Sequence, residues 1–220
     1  MVQEHISGVA CSVAAVADGR SATLLGLSEQ LVGLRGFGAR GYAWCGNLVP
    51  PRLDEAQHRA LAGAAEKVCA HLALAFGVRG LFGVDLVWDG EHAWVVEVNP
   101  RPTGSLESVE AAHEVGVFAA HLESCAGRLP SVAADPAPRR AAGKAILFAT
   151  RNLRVGDTRG WPARGIRDVP HPRERIAAGS PICTLISMEE SPEAVLADLE
   201  ARAAALRGEL GEPAGAPAHA

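Results

Sequence analysis

The sequence lacks the patterns that mark secreted, disulfide-stapled or membrane proteins. Its five cysteines are odd in number, widely scattered and free of any Cys-x-x-Cys spacing, which argues against disulfides and structural zinc. No apolar run approaches the roughly 18 residues of a membrane-spanning helix, and no charged leader precedes an apolar stretch at the N-terminus. We therefore expect a cytoplasmic protein that does not act at a membrane.

Basic segments and phosphate-binding loops are also missing. The net charge is −4, and no arginine-rich arm or lysine stripe occurs, so nucleic acid is not an expected partner. Gly33, Gly36 and Gly38 form a glycine-rich stretch, but it lacks the strand–loop–helix setting and the following Lys-Ser/Thr of a P-loop. This stretch is therefore predicted to be loop and short strand.

The chain does contain enough apolar residues for a substantial core. Its 220 residues are 48% hydrophobic, which suffices for one sizeable core or two modest ones. Alternating and helical spacings predict an α+β protein with strands at 2–6, 9–16, 22–27, 80–88, 93–99, 145–149 and 181–186, and helices at 54–76, 105–126 and 191–210. The proline-bearing segment 131–140 is predicted to be a linker between a domain at 1–130 and a small β-rich domain at 141–220 with a C-terminal helix.

The run from Val95 to Pro102 carries the most specific chemical signal. Glu97, Asn99 and Arg101 occupy every second position, so a strand would place them on one face while Val96 and Val98 point into a core. A carboxylate and an amide oxygen are hard ligands that Mg²⁺ prefers. An arginine beside them can hold a phosphate or carboxylate in a two-pronged grip. The run therefore predicts a metal site next to an anion site.

Asp85, on the preceding strand, is a candidate for a third oxygen ligand. It shares a face with Glu97 only if the loop between the two strands has an odd number of residues. We expect such a loop, containing Gly90. The alternative is a solvated strand face on which these acids are ordinary exposed carboxylates and Glu97 forms an ion pair with a neighbouring base.

Three segments together resemble the C-terminal half of the ATP-grasp fold. They are Gln3–Gly8, Gly83–Val87 and Glu97–Arg101, and the resemblance covers about residues 1–127. Residues 165–170 and 176–184 are similar to the small β-rich tail of several ATP-grasp ligases. The resemblance implies an ATP-grasp C-terminal lobe, an antiparallel sheet with flanking helices, followed by that small β-rich domain.

The resemblance also implies an activity and a set of site residues. The family implies a ligase that uses ATP and Mg²⁺ to activate a small carboxylate substrate as an acyl phosphate, which an amine substrate then attacks. The residues that match the family's motifs are magnesium-binding Asp85, Glu97 and Asn99, phosphate-steadying Arg101, adenine-binding Gln3, Glu4 and Ile6, and acceptor-binding Thr103, Gly104 and Ser105.

Several alternatives stay open. The first predicted strand begins one residue after Met1 and the family's N-terminal half has no counterpart here, so we expect a missing N-terminal half or a homo-oligomer as partner. Ala10 stands where the family often has a ribose-binding acid. A degenerate, non-catalytic ATP-grasp module or split-gene subunit is therefore one alternative. A biotin-carboxylase-like or purine-pathway carboxylase is another.

Overall fold

One antiparallel sheet of eight strands forms the centre of the part of the chain that the structure describes. The structure is a computed structural model, and it describes residues 4–130 and 138–211. The strands are β1 (Val9–Asp18), β2 (Ala22–Val32), β3 (Trp44–Val49), β4 (Arg79–Trp88), β5 (Ala93–Asn99), β6 (Ala141–Phe148), β7 (Leu153–Arg154), β8 (Ile166–Arg167), β9 (Arg175–Ile176) and β10 (Pro181–Glu189). The large sheet has the order β5-β4-β1-β2-β3-β6-β10-β8, and β7 pairs with β9 in a small separate ladder.

The helices in these residues flank the sheet, which confirms the predicted α+β class. They are α1 (Glu55–Phe76), α2 (Leu106–His113), α3 (Val117–Cys125) and α4 (Pro192–Glu209). Asp54 and Gln57 form a capping box at the start of α1, and Gly77 ends it in the left-handed conformation. Ser191 caps α4 just before Pro192. In the described residues, no helix has both the length and the apolar character needed to cross a bilayer.

The two faces of the sheet are covered by different helices. Val13 and Ala14 are neighbours in β1 and therefore point to opposite faces. Val13 shares a core with Leu61 of α1, whereas Ala14 shares a core with Val109 of α2. Farther along the sheet, α4 packs on β6 and β10. The part of the face that α2 and α3 leave uncovered carries the polar side chains of the candidate site.

Residues 105–126 form two helices, so the prediction of a single helix was wrong. Glu114 closes α2 with a φ of 53°, and Gly116 precedes α3. A residue in this left-handed conformation interrupts the regular helical hydrogen bonds. The apolar spacing hides the break, because Val109 of α2 and Ala120 of α3 are both buried in the same core.

The strand predicted at residues 2–6 is absent from the part of it that the structure describes. Residues 4–7 have no regular secondary structure, Glu4 and His5 are exposed, and β1 begins at Val9. Residues 2 and 3 lie outside the described residues. Val9 pairs with Trp88, the last residue of β4, so β4 offers no residue for residues 4–8 to pair with.

The region after the predicted linker extends the same sheet. β6 pairs with β3, with Ala145 opposite Gly46, and β10 lies on the other side of β6. The strands and the C-terminal helix expected for this region are present, but its two long strands join the main sheet and do not build one of their own. The domain boundary at 131–140 stays a prediction, and residues 131–137 lie outside the described residues.

The β4–β5 hairpin places Asp85 and Glu97 on one face as predicted, but the loop length is not the reason. Trp88 pairs with Ala93, so the loop comprises residues 89–92 and has an even number of residues, not the predicted odd number. Regular pairing from this loop would place Asp85 opposite Val96 and turn Glu97 to the other face. A β-bulge corrects the register, since Asp85 pairs with Glu97 and Val96 becomes the extra residue.

The side chain of Val96 accordingly does not enter the core, which corrects the prediction from alternation. Val96 is 66% exposed on β5, an edge strand of the sheet. Val98, in contrast, is partly buried and packs against the core that contains Leu86. The bulge therefore separates the solvent-facing part of β5 from the part that carries Asn99.

Deleting Val96 should leave the functional face of β5 in place. Removal of the bulge residue gives a regular ladder in which Asp85 still pairs with Glu97. Deleting Val98 is the matched control: it should turn Asn99 to the opposite face and destabilise the protein by at least about 1 kcal/mol, because a packed side chain is lost. Thermal unfolding and cross-strand nuclear Overhauser contacts between residues 85 and 97 measure both effects. Loss of those contacts on deleting Val96 would contradict this account of the bulge.

Candidate functional site

Asp85 and Glu97 face each other across the β4–β5 hairpin. They are directly opposed cross-strand partners, a relation that brings two Cβ atoms within about 5.5 Å of each other. Two like charges in this position repel one another unless a cation lies between or beside them. The pair therefore has the charge and the spacing expected of a cation site.

Amide side chains hold the carboxylate of Asp85. Gln30 Nε2 donates a hydrogen bond to Asp85 Oδ1 at 2.9 Å, and Asn99 Nδ2 donates one to Oδ2 at 3.2 Å. Burial raises the pKa of the Asp85 carboxyl, and the charge of Glu97 adds to the increase, while hydrogen bonds from Ser12, Asn99 and Gln30 act in the opposite direction. The net increase in pKa means that these donors offset only part of the combined effect of burial and of the Glu97 charge.

Asn99 completes a set of three oxygen-bearing side chains. It is buried, and its Nδ2 donates to Asp85, which leaves its Oδ1 as an acceptor. No described base forms an ion pair with Glu97, so the ion pair of the alternative interpretation is not found in the described part of the chain. Two carboxylates and an amide oxygen fit the ligand preference of Mg²⁺.

A Mg²⁺ ion at this site would need the Asn99 amide oxygen and oxygen ligands from a bound substrate in addition to the two carboxylates. Among the described residues, no group of three or more His, Cys, Asp or Glu side chains could hold a metal ion. A closed, all-protein site is therefore not present in those residues. Mg²⁺ suits an open site of this kind, because it is commonly held by one or two carboxylates together with substrate phosphates.

Arg101 reaches the same cleft from just beyond β5. The strand ends at Asn99, and the backbone N–H of Arg101 donates to the Asn99 carbonyl at 2.8 Å, so Arg101 is not on the strand as predicted. Its exposed guanidinium donates to the Pro102 carbonyl through Nη1 at 3.1 Å. No described carboxylate pairs with it, and a guanidinium in this setting can bind an anion.

The loop Thr103–Ser105 forms another wall and leads into α2. Thr103 Oγ1 and Ser105 Oγ lie 3.1 Å apart. The loop approaches the sheet so closely that any side chain in place of glycine would displace its neighbour at two contacts. A Cβ on Gly83 would lie 2.5 Å from Thr103 Cγ2, and one on Gly104 would lie 2.8 Å from Trp44 Cη2.

These side chains line one cleft of about 330 Å³. The residues predicted from the sequence that line it are Asp85, Glu97, Asn99, Arg101, Thr103, Gly104 and Ser105. Five further lining residues were not predicted as site residues: Ser12, Ser28, Gln30, Trp44 and Asn47. The cleft thus joins the predicted metal, phosphate and acceptor residues with a group of neutral polar side chains.

Most of the unpredicted residues belong to a row that crosses one face of the sheet. We call the following six residues the polar row: Glu97, Asp85, Ser12, Ser28, Gln30 and Asn47. Each is a cross-strand partner of the next, except Ser28 and Gln30, which are two positions apart in β2. Ser28, Glu29 and Gln30 are consecutive polar residues of β2, so no alternation in the sequence indicated which face Ser28 and Gln30 would share.

The residues predicted to bind adenine are not brought to this cleft. Glu4 is exposed, Ile6 is half-buried, and neither lines the cleft. Gln3 lies outside the described residues. The assignment of these three residues to adenine stays a prediction.

Comparison with protein families agrees with the resemblance seen in the sequence. Residues 1–105 match the family model described as an ATP-grasp domain. The matched segment ends at Ser105 and therefore includes the predicted metal, phosphate and acceptor residues. The resemblance to the ATP-grasp superfamily is thereby confirmed.

Curated relatives match parts of the chain. The formate-dependent phosphoribosylglycinamide formyltransferase of Burkholderia cenocepacia is 35% identical over 94 residues, which are 43% of this chain and 21% of that protein. An uncharacterized protein of Methanocaldococcus jannaschii is 23% identical over 189 residues, which are 86% of this chain and 42% of that protein. The chain thus spans less than half the length of these relatives.

Solved structures share the fold over most of the chain. An L-amino acid ligase from Bacillus licheniformis has a TM-score of 0.69 at 16% identity, and the match covers 90% of this chain and 52% of the ligase. The biotin carboxylase domain of a single-chain bacterial carboxylase has a TM-score of 0.65 at 21% identity, with 92% of this chain and 47% of the other covered. At these identities the likeness shows the fold.

Replacing Asp85 with asparagine should stabilise the metal-free protein at neutral pH. Because the fold raises the pKa of Asp85, ionisation of this carboxyl destabilises the folded state as the pH rises above the ordinary value of about 3.9. The melting temperature of Asp85→Asn relative to the unsubstituted chain should therefore increase between pH 4 and pH 7, by roughly 2–4 °C. Differential scanning calorimetry in EDTA measures this difference.

Glu91→Gln, an exposed acid in the loop of the same hairpin, is the control for that experiment and should show no comparable trend. A relative stability of Asp85→Asn that falls as the pH rises would contradict the assigned direction of the pKa change.

Proposed function

We propose that this chain, whose residues 1–105 match the model of the ATP-grasp domain, carries the magnesium–ATP site of a ligase that joins a carboxylate to an amine. The observation that carries the proposal is the facing pair Asp85 and Glu97, with Asn99, in a cleft that Arg101 also lines. This arrangement offers oxygen ligands for a cation and a guanidinium for an anion at one place. A metal-bound polyphosphate has both charges.

The proposed reaction has two steps and needs no protein nucleophile. An oxygen of the carboxylate substrate attacks the γ-phosphorus of ATP, the bond from this phosphorus to the bridging oxygen breaks, and ADP leaves behind an acyl phosphate. The amine nitrogen then attacks the acyl carbon, phosphate departs with the electrons of the C–O bond, and the nitrogen loses a proton. Catalysis of such steps rests on positioning and on stabilising charge.

Each predicted residue has a role in this proposal. Asp85, Glu97 and Asn99 would hold Mg²⁺, which when bound neutralises charge on the phosphates. Arg101 would bind the anionic oxygens of the transferring phosphoryl group and of the acyl phosphate. The Thr103–Ser105 loop, which forms a wall of the cleft, would contact the second substrate.

Full activity is proposed to need a further ATP-grasp portion. The chain covers 21% of the Burkholderia cenocepacia relative and 52% of the Bacillus licheniformis ligase structure. The additional portion could belong to the same gene product, to a separate subunit or to a second copy of this chain. The adenine contacts assigned to Gln3, Glu4 and Ile6 are part of this proposal.

Mg²⁺ should determine whether the chain binds ATP. Isothermal titration calorimetry should show ATP binding with Mg²⁺ at least 10-fold tighter than in EDTA. Glu97→Gln should weaken the Mg²⁺-dependent binding by about 10–100-fold while leaving the melting temperature nearly unchanged, because a metal ligand is lost from an exposed position. Unaltered Mg²⁺ dependence in Glu97→Gln would contradict the proposed metal site.

Glu91→Gln is the matched control, since it removes another exposed charge from the same hairpin. It should bind Mg²⁺–ATP as the unsubstituted chain does. If no form of the chain binds Mg²⁺–ATP, even when the additional ATP-grasp portion is supplied, the non-catalytic alternative is favoured.

Arg101 should matter more for the reaction than for nucleotide binding. Arg101→Met should lower ADP formation by roughly 10²–10³-fold, the cost typical of losing one preorganised donor at a developing charge. Arg101→Lys keeps the charge but not the two-pronged geometry, so it should restore only part of the rate. ADP release measured with the additional ATP-grasp portion present tests this prediction, and equal rates for Arg101→Met and the unsubstituted chain would refute it.

The identity of the carboxylate substrate distinguishes the proposed ligase from the carboxylase alternative. The curated relatives named formate-dependent formyltransferases suggest formate as one carboxylate to test. Bicarbonate is the corresponding test for a carboxylase. ADP release that depends on an organic carboxylate and an amine supports the ligase, whereas strict dependence on bicarbonate supports the alternative.

A further inference from the structure

Asn47 has no described partner for either end of its side-chain amide. The residue is 1% exposed, and neither its Nδ2 nor its Oδ1 forms a hydrogen bond within residues 4–130 and 138–211. Buried polar atoms without partners are rare because each one lowers stability. An amide with both ends unpaired therefore needs an explanation beyond packing.

This amide lines the same cleft as the acidic pair, but from the other end. Asn47 lies on β3 and Glu97 lies on β5, with β4, β1 and β2 between them in the sheet. At about 4.8 Å between neighbouring strands, the two strands are roughly 19 Å apart. Asn47 thus terminates the polar row far from the proposed metal and phosphate positions.

The charges near Asn47 are already compensated. Its cross-strand partner Lys144 forms an ion pair with Glu107, with 2.5 Å between Nζ and Oε2, and neither residue lines the cleft. The Lys144 ammonium also lies 5.8 Å from the centre of the Trp44 ring, which does line the cleft. A charged group buried against Asn47 would lose its hydration without gaining an opposite charge. A neutral polar group can instead replace its lost water contacts with hydrogen bonds to the Asn47 amide.

We propose that Asn47 binds a neutral, planar polar group of the substrate in which an N–H donor lies beside an acceptor, such as a carboxamide. A group of this kind satisfies both unpaired atoms of Asn47 at once, because it accepts from Nδ2 and donates to Oδ1. This inference rests on the proposed function in one respect, namely that the carboxylate of the same substrate lies toward Arg101. The edge of a nucleobase presents the same donor–acceptor pair and is the other source of this chemistry.

Two isosteric probes test the preference for a neutral group. L-Glutamine and L-glutamate differ only in carrying a side-chain amide or carboxylate, and adenosine serves as the nucleobase probe. In NMR titrations of the full chain we expect L-glutamine to bind at least about 10-fold more tightly than L-glutamate, and Asn47→Leu to abolish this difference. Ser187→Ala, which removes another buried and unpaired side-chain atom outside this cleft, should leave it unchanged.

Each outcome of these titrations decides the proposal. Adenosine binding that depends on Asn47 supports the subsite and identifies a nucleobase as its source. Equal binding of L-glutamine and L-glutamate without Asn47-dependent adenosine binding overturns it, as does the absence of binding by all three probes. A preference for L-glutamine that persists in Asn47→Leu also overturns it.

Stability separates a binding role from a structural one. Asn47→Leu should raise the melting temperature by roughly 2–4 °C, since it removes two unpaired polar atoms from a buried position. Asn47→Ala provides a second variant that introduces no added bulk, and it should lose the L-glutamine preference as well. Lower melting temperatures for both variants would show that the amide supports the fold and would overturn the proposal.

Titration of the same variants with Mg²⁺–ATP distinguishes this proposal from the proposed function. If the unsubstituted chain fails to bind Mg²⁺–ATP but keeps an Asn47-dependent preference for L-glutamine, the ligase assignment fails and the subsite stands. If Mg²⁺–ATP binds and no Asn47-dependent probe is found, the subsite fails and the ligase assignment stands.

Discussion

The repulsion between two carboxylates on neighbouring strands is the constraint on which this cleft depends. Asp85 and Glu97 are held opposite one another by a bulge, and hydrogen bonds from Gln30 and Asn99 fix Asp85. Burial raises the pKa of Asp85 all the same. A fold that disfavours the ionised form of one of its own carboxyl groups is typical of a functional site. A ligand then supplies the opposite charge, and the rest of the fold supplies the stability.

Local signals in the sequence were sufficient where a short pattern determines the structure. The capping residues Asp54 and Ser191 marked the starts of α1 and α4. The alternation of Glu97 and Asn99 after an upstream Asp85 placed three oxygen-bearing side chains at one site, and the structure brings them together. The loop-parity argument failed because a bulge adds one residue to β5, and alternation alone does not reveal which residue is extra.

Contacts between residues far apart in the chain could not be predicted from the sequence. Ser12, Ser28 and Asn47 line one cleft only because of strand order and register, and no spacing in the chain encodes which strands will pair. The break between α2 and α3 was hidden because both helices keep the same apolar stripe. The position of Val96 shows the same limit, since its exposure follows from the β-bulge that makes it the extra residue of β5.

Hydrogen bonds between β3 and β6 attach the C-terminal third of the chain to the edge of the sheet that carries Asn47. A shortened chain ending before Ala141 would leave the backbone N–H and C=O groups on the outer side of β3 without partners. Such an unpaired edge strand can pair with strands of other chains and so favours aggregation. Substitutions in β6 would likewise be transmitted to Asn47 through shared backbone bonds. Selection on ligand choice can therefore act on residues that never touch the ligand.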